Sequence, residues 1–221
     1  MNTPVPNRKF PEKPIGFALN DSRLIKVTDI DHVPYYHNSG IKGAVTECYM
    51  HTEVYDRLKK AQTYLPCGYS FRIYDAWRPF EVQLSLYNDY RAKVIRENPN
   101  ADTQTVDDLT KLFVSKPIRD VYDGPVHATG GAIDLTIVDS NGKELDMGTE
   151  FDFFGEKANT AYFEINDISA DIRSNRRLLY NSMTHAGFTN LPTEWWHYDY
   201  GNKFWAYYNN VSALFGCVFD I

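Results

Sequence analysis

The chain has 221 residues, a formal net charge of -6, and hydrophobic residues at 43% of its positions. A chain of this length folds as one domain whose core needs no disulfide or structural metal, and its apolar content excludes a largely disordered protein. The acidic balance provides no basic surface for phosphates or anionic lipid, so we expect neither a nucleic-acid partner nor a membrane partner.

The cysteines and the N-terminus indicate the cellular compartment. The three cysteines are odd in number, widely spaced and without a C-x-x-C pair, which favours free thiols in a reducing compartment. No stretch reaches the ~18 apolar residues that span a bilayer, and the polar, proline-rich N-terminus lacks the apolar region of a secretory signal. We therefore expect a cytoplasmic protein, although a chain trimmed of its leader would have the same pattern.

The first predicted element is an extended arm. Residues 1–16 contain four prolines, which prevent a helix and discourage a central strand. One domain is expected to cover residues 17–221. A short apolar run predicts a strand at 24–27, and apolar residues at helical spacing predict an amphipathic helix at 53–64.

Two segments near the start of the domain offer side chains that could reach a substrate. Tyr35 and Tyr36 lie in a predicted loop, where tyrosines of an aromatic-rich chain more often pack. Arg78 ends a predicted strand, so its fork of N–H donors could project into a cleft, and the proline after it keeps the backbone extended. The alternative is a surface arginine paired with Asp75 or Glu81.

The rest of the chain alternates between helical and strand patterns. Helices are predicted at 80–97, 105–114 and 169–186, and strands at 69–77, 132–138 and 194–200. The last two strands are expected to lie side by side, and residues 203–221 to pack on the domain. The expected fold is a single α+β domain with a small, mostly antiparallel sheet that carries the functional site and is flanked by helices.

Asp152 is a carboxylate among apolar residues. It lies between two phenylalanines in a predicted loop at 147–155. A carboxylate in such surroundings needs a partner. It either caps a turn or faces a ligand.

Two short segments carry the residue types of a metal site. Glu194 precedes His197 by three positions among aromatic residues, and His127 precedes Asp134 by seven positions across a glycine pair. Imidazole is a common zinc ligand, and a nearby carboxylate can accept the proton of a metal-bound water. A lone histidine on an aromatic strand is more often a core residue, so the prediction depends on both segments meeting.

We predict that His127, Asp134 and His197 bind one Zn²⁺ per chain and leave a fourth position open, as in catalytic zinc sites. Residues seven apart lie on opposite faces of a regular strand, so the glycine pair must redirect the chain between them. Glu194 and His197 are also an odd number of positions apart, so we expect Glu194 to lie on the loop side of the start of the strand that carries His197. Glu194 is the candidate general base, and Arg78 would face the negative oxygen of a tetrahedral intermediate.

Four blocks along residues 48–198 point to a known family. The blocks are Asp75-Ala76-Trp77-Arg78-Pro79, His127-x6-Asp134 with Leu135-Thr136, Met147-Gly148 with Phe151-Asp152, and Glu194-Trp195-Trp196-His197. Together they resemble the D-alanyl-D-alanine dipeptidases of the vancomycin-resistance type, whose fold is shared with D,D-carboxypeptidases and the hedgehog signalling domain. The resemblance implies the zinc ligands, base and transition-state stabiliser named above. It also implies that Asp152 holds the free ammonium of a dipeptide.

The chain departs from the family pattern at two positions. Pro125 stands where the family usually has a serine that helps to bind substrate, and proline donates no hydrogen bond. Thr129 stands where related enzymes often carry arginine. Both changes leave the zinc chemistry intact and leave the preferred dipeptide open.

The leading hypothesis is zinc-dependent hydrolysis of D-Ala-D-Ala, or of a closely related small dipeptide, to free amino acids by a metal-bound water. The alternative within enzymes is a D,D-carboxypeptidase or endopeptidase that acts on peptidoglycan stem peptides. The third hypothesis is a zinc-stabilised binding module without turnover. The presence of both Glu194 and Arg78 favours an enzyme over such a module. The oligomeric state is left open.

Overall fold

The computed structural model of the protein describes residues 2–9, 16–20, 23–111, 114, 116–166 and 168–221. The strands are β1 Leu24–Val27, β2 Asp31–His32, β3 Cys48–His51, β4 Ser70–Asp75, β5 Ala132–Val138, β6 Thr189–Asn190 and β7 His197–Asp199. The helices are α1 Tyr35–Asn38, α2 Thr52–Gln62, α3 Phe80–Glu97, α4 Thr103–Lys111, α5 Tyr162–Ile165, α6 Ala170–His185 and α7 Lys203–Asn209. Two 3-10 helices lie at Val126–Thr129 and Glu156–Ala158.

The main sheet has five strands in the order β2-β4-β5-β7-β6. Its pairs are antiparallel except for β2 with β4, which is parallel. The central strand β5 is buried along its whole length. Because side chains alternate along a strand, Ile133, Leu135 and Ile137 share one face and belong to the hydrophobic core, whereas Asp134 points to the opposite face.

Helices α2 and α6 cover the apolar side of this sheet. They pack against each other, and Leu58, Leu179 and Met183 join the same core as β5. Helix α6 begins after Ser169, whose hydroxyl accepts a hydrogen bond from the Ile172 N–H. It ends just before Gly187, which has a φ of 98°, the left-handed conformation that glycine adopts readily at a helix end. The core therefore lies on one face of β5 and leaves the other for polar chemistry.

The predicted α+β fold is confirmed, and so are the strand at 132–138 and the helix at 80–97. The strand predicted at 194–200 is shorter, since β7 comprises only His197–Asp199. The predicted loop at Tyr35 and Tyr36 contains helix α1, and strand β3 and helix α7 were also missed. Their segments are short, and each carries apolar and aromatic residues without a clear period. The three cysteines are free, as predicted.

The N-terminal arm is described over residues 2–9, where it runs beside α6. The Asn181 side-chain amide donates to the Thr3 carbonyl at 2.8 Å, and the Val5 N–H donates to Glu164 at 3.1 Å. Prolines 11 and 14 of the predicted arm lie outside the described residues, as do 112 and 113 of the helix predicted at 105–114. Within the described part of the chain, no helix is long and apolar enough to cross a bilayer.

Candidate active site

His127 reaches the site from the 3-10 helix Val126–Thr129, which precedes β5. Gly130 ends this helix with a φ of 68°, and a side chain there would also collide with Leu24. A left-handed glycine therefore turns the chain between His127 and Asp134, as their odd spacing requires. The His127 Nδ1 lies 2.9 Å from the Ala76 carbonyl oxygen, so this nitrogen donates and Nε2 keeps its lone pair for a ligand.

The register of the sheet brings the other two candidate metal ligands together. Asp134 on β5 lies directly opposite His197 on β7 in the antiparallel pair. Side chains opposite each other in such a pair project from the same face at close distance. The His197 Nε2 lies 3.1 Å from a carboxylate oxygen of Asp199, which fixes Nε2 as the donor and leaves Nδ1 free to face Asp134.

The three ligand atoms form a compact, buried triangle. The distances are 3.2 Å from His127 Nε2 to His197 Nδ1, 3.0 Å from His197 Nδ1 to Asp134 Oδ1, and 3.4 Å from His127 Nε2 to Asp134 Oδ2. Ligands about 2.1 Å from a tetrahedral ion lie about 3.4 Å apart. Two imidazole lone pairs and a carboxylate that point at one another repel unless a cation lies between them. The donor set therefore fits a metal ion.

The electrostatics of the triangle also favour a positive charge. Burial opposes ionisation of Asp134, but the two imidazoles outweigh it and hold the pKa of this carboxyl far below its usual range. Burial disfavours a charged His197 ring, yet Asp199 and Asp134 raise the pKa of His197 well above its ordinary value. A bound cation would take the place of that proton, because metal ligands must be deprotonated.

Glu194 lies in the turn before β7, beside the triangle but outside it. Its carboxylate is 3.9 Å from His197 Nδ1, and 31% of its side-chain surface is exposed. This partial burial raises the pKa of Glu194 to about 7, although His197 acts in the opposite direction. The Glu194 carbonyl accepts hydrogen bonds from the Asn190 side-chain amide at 3.0 Å and from the Thr160 hydroxyl at 3.1 Å. Asn190 and Thr160 thus fix the turn, a role that sequence reasoning missed.

Arg78 is buried in the site rather than on the surface. Its Nε donates to Asp75 at 2.8 Å, its Nη1 to Gln83 at 2.7 Å, and its Nη2 to the Tyr36 hydroxyl at 3.2 Å. The same Nη2 lies 3.4 Å from Asp134. A guanidinium has five N–H donors, so these contacts leave one on Nη1. The pairing with Asp75 was anticipated only for a surface arginine, and here it anchors a buried arginine beside the candidate metal ligands.

Asp152 faces the site from the loop after β5. Its φ of 62° is in the left-handed region, and its carboxylate accepts a long hydrogen bond from the Tyr36 hydroxyl at 3.4 Å. Burial raises the pKa of Asp152 to about 6, although Arg78 acts in the opposite direction. The carboxylate is therefore poorly satisfied. Tyr36, for which packing was the favoured of two expectations, bridges Asp152 and Arg78.

A buried arginine holds the loop that carries Asp152. Arg176 on α6 donates to the carbonyls of Met147 at 2.7 Å, Asn159 at 2.6 Å and Lys157 at 2.7 Å. Burial lowers the pKa of Arg176 to about 9. These three bonds attach both ends of the loop to the helix. They are a further support that the sequence did not reveal, because nothing in it distinguishes Arg176 from other helix arginines.

All of the predicted site residues line one cavity of about 810 Å³. They are His127, Asp134, His197, Glu194, Arg78 and Asp152. The site residues that were missed are Gln83, Asp199, Asn190, Thr160 and Arg176. One signal could have found Asp199, since it follows His197 by two positions on a strand and so shares its face.

Comparison with known proteins finds similarity to one family. A family model described as D-ala-D-ala dipeptidase, of peptidase group M15, matches residues 30–214. The chain is 25% identical over 229 residues to a D-alanyl-D-alanine dipeptidase of Synechocystis sp., which covers 95% of this chain and 93% of that protein. It is 31% identical over 171 residues to a D-alanyl-D-alanine dipeptidase of Escherichia coli, which covers 77% of this chain and 75% of that protein.

Proposed function

The chain belongs to the D-ala-D-ala dipeptidase family and is therefore a metallopeptidase, and we propose that it hydrolyses D-Ala-D-Ala, or a close relative, with one bound zinc ion. The observation that carries this proposal is the meeting of three metal-donor atoms, a carboxylate base, an arginine and a second carboxylate in one cavity. Each has a separate task in peptide hydrolysis.

His127, Asp134 and His197 would hold the zinc through Nε2, a carboxylate oxygen and Nδ1 respectively. Zinc bound there supplies a Lewis acid that acidifies water and polarises a peptide carbonyl. The imidazole and carboxylate donors suit this ion. The Ala76 carbonyl and the Asp199 carboxylate keep the two rings in the required tautomers.

Glu194 acts as the general base in this proposal. It lies within 3.9 Å of a ligand nitrogen without belonging to the triangle, so it is placed to take a proton from the attacking water. A carboxylate whose pKa is raised toward neutrality can also return that proton to the departing amine. Arg78 directs its remaining N–H toward the charge that develops on the carbonyl oxygen, a contribution typically worth about 100- to 1000-fold in rate.

Asp152 selects the free amino terminus. Its carboxylate has one long hydrogen bond and an unfavourable degree of burial. An ammonium beside it would provide the missing opposite charge. An N-acylated substrate lacks that charge and would leave the carboxylate buried without its partner, so the blocked dipeptide should be rejected.

The test is D-alanine release from D-Ala-D-Ala by the purified protein before chelation, after chelation and after zinc add-back. We expect activity that disappears on chelation and returns with zinc, and little release from N-acetyl-D-Ala-D-Ala. The Glu194→Gln variant should bind zinc normally and lose most of the rate. Unchanged hydrolysis by zinc-loaded Glu194→Gln protein would refute the assignment of the base.

The size of the cavity supports a second candidate, a D,D-carboxypeptidase that acts on longer peptides. A volume of about 810 Å³ lies in the upper part of the roughly 300–1,000 Å³ range of small-molecule sites and exceeds what two alanines need. Efficient cleavage of the N-acetylated dipeptide would favour this candidate over the dipeptidase. The same pair of substrates therefore decides between them.

A further inference from the structure

One wall of the cavity lies beside His127 and lacks a cation of its own. It is formed by Asp123, Gly124, Pro125 and Val126. None of these side chains is positively charged, and Pro125 has no N–H. Any anionic group of a substrate that lies against this wall needs a partner from another part of the chain.

Lys203, the first residue of α7, supplies a cation at this wall. Its Nζ donates to the Asp123 carbonyl at 2.8 Å, and its side chain lines the same cavity. The other lysines and arginines that line the cavity are Arg78, Lys93, Arg96 and Lys116. Arg78 is already paired with carboxylates, and the other three are exposed. Lys203 is therefore the partly buried lysine of the cavity.

The Lys203 ammonium has unused hydrogen-bonding capacity. It carries three N–H donors, of which the Asp123 carbonyl accepts one. Among the described residues, no carboxylate forms an ion pair with it. Burial lowers the pKa of Lys203, although Cys217, Asp123 and Asp120 act in the opposite direction. A partly desolvated ammonium with free donors gains from an anionic ligand.

The backbone of Lys203 is fixed relative to the metal site. Asp199 accepts a hydrogen bond from His197 at 3.1 Å and another from the Asn202 side-chain amide at 2.6 Å. The side-chain Oδ1 of Asn202 in turn accepts hydrogen bonds from the backbone N–H groups of Phe204 and Trp205 and so caps α7. Asp199 and Asn202 have no exposed surface. A buried chain of hydrogen bonds therefore connects the His197 ring to the start of α7.

We propose that Lys203 binds the C-terminal carboxylate of the substrate and thereby restricts the enzyme to peptides with a free carboxyl end. This inference depends on the proposed function. Asp152 lies in the loop after β5 beside Tyr36, whereas Lys203 follows β7 beside Asp123. A dipeptide carries an ammonium at one end and a carboxylate at the other. Two opposite charges that line one cavity beside different neighbours match this pattern.

The experiment compares D-Ala-D-Ala with its C-terminal amide as substrates of the zinc-loaded wild type and of Lys203→Gln, Lys203→Arg and Lys116→Gln. The last is a matched control, an exposed lysine on the same cavity. We expect Lys203→Gln to raise KM for the free acid by about 10- to 100-fold, the loss of one charge-assisted hydrogen bond, with a much smaller change in kcat. KM for the amide should stay unchanged, Lys203→Arg should keep part of the preference, and Lys116→Gln should match the wild type.

Two results would overturn the proposal. One is a wild type that treats the acid and the amide alike, which needs no variant and so does not depend on whether Lys203→Gln folds. The other is an equal rise in KM for Lys203→Gln and Lys116→Gln. Such a result would mean that only the total positive charge of the cavity matters, and not a specific contact with Lys203.

If the wild type cleaves neither the free acid nor the amide, the proposed function fails. The Lys203 proposal is then tested separately by calorimetry, which measures binding of the acid and of the amide to the wild type and to Lys203→Gln. Binding that prefers the acid in the wild type and loses this preference in Lys203→Gln supports it. Absence of a preference overturns it.

Discussion

Replacing Asp152 by asparagine is expected to stabilise the metal-free protein while it removes recognition of the substrate ammonium. Asparagine has nearly the same shape and can accept the same hydrogen bond from Tyr36. It also tolerates the left-handed backbone that Asp152 adopts at a φ of 62°. The substitution therefore changes charge with little change in packing or backbone strain.

The magnitude follows from the raised pKa of Asp152. Its folded value of about 6, against an ordinary 3.8, means that folding favours the protonated carboxyl. Each pKa unit corresponds to about 1.4 kcal/mol, so ionised Asp152 costs the fold about 3 kcal/mol at pH 8. Because the folded pKa is raised, stability is greatest below the unfolded pKa and is lost as pH rises through about 6. At pH 5 the cost falls to about half.

Thermal unfolding at pH 5 and pH 8 in the presence of a chelator measures this difference. We expect Asp152→Asn to melt several degrees above the wild type at pH 8, since about 1 kcal/mol shifts Tm by about 2–4 °C in a protein of this size. The difference in Tm between Asp152→Asn and the wild type should be smaller at pH 5. Glu156→Gln, which removes an exposed carboxylate from the same cavity, serves as the control and should lie within about 0.5 kcal/mol of the wild type.

Two outcomes would refute this reasoning. If Asp152→Asn melts at or below the wild-type temperature at pH 8, the carboxylate is not destabilising. If the gap is the same at both pH values, it does not arise from ionisation. The same variant tests the link to function. If the substrate ammonium pairs with the Asp152 carboxylate, D-Ala-D-Ala should bind far more weakly to Asp152→Asn than to the wild type.

Two further substitutions test how the metal site is held. Asp199→Asn keeps an acceptor near His197 but removes its charge, so zinc affinity measured by competition with a chelator should fall about 10- to 100-fold; an unchanged affinity would contradict the orienting role of this carboxylate. Gly131→Ala would place a Cβ 2.6 Å from the Tyr200 carbonyl oxygen and force β5 and β7 apart. Urea unfolding should show a loss of about 1–3 kcal/mol together with weaker zinc binding, and wild-type behaviour in both would refute the close packing.

The elements that could be predicted from the sequence are those with a long, regular hydrophobic pattern. The helix predicted at 80–97 has its observed bounds, and so does the strand at 132–138, which is apolar apart from Asp134 and Thr136. Elements such as β3 and α7 span only four and seven residues. Their positions depend on tertiary partners, β1 for one and the Asn202 cap for the other, and a local pattern does not contain these partners.

The meeting of His127, Asp134 and His197 could be predicted because two structural constraints are visible in the sequence. A glycine pair between His127 and Asp134 permits the turn that their odd spacing demands, and two neighbouring strands bring Asp134 opposite His197. The supports of the site come from distant segments with no such signal. Tyr36 reaches Asp152 across 116 positions and Arg78 across 42, and sequence spacing alone cannot establish contacts of this range.

The balance of charge in the cavity connects these separate proposals. Five carboxylates lie close to the candidate metal ligands: Asp75 and Asp134 pair with Arg78, Asp152 feels its charge, and Glu194 and Asp199 lie beside His197. Buried negative charge is costly unless it is paired or bound to a metal. A divalent ion between the histidines and an ammonium beside Asp152 would offset most of this excess. The same reasoning explains why the carboxylate end of a dipeptide would be repelled from this cluster and needs a cation elsewhere in the cavity, which Lys203 beside Asp123 would supply.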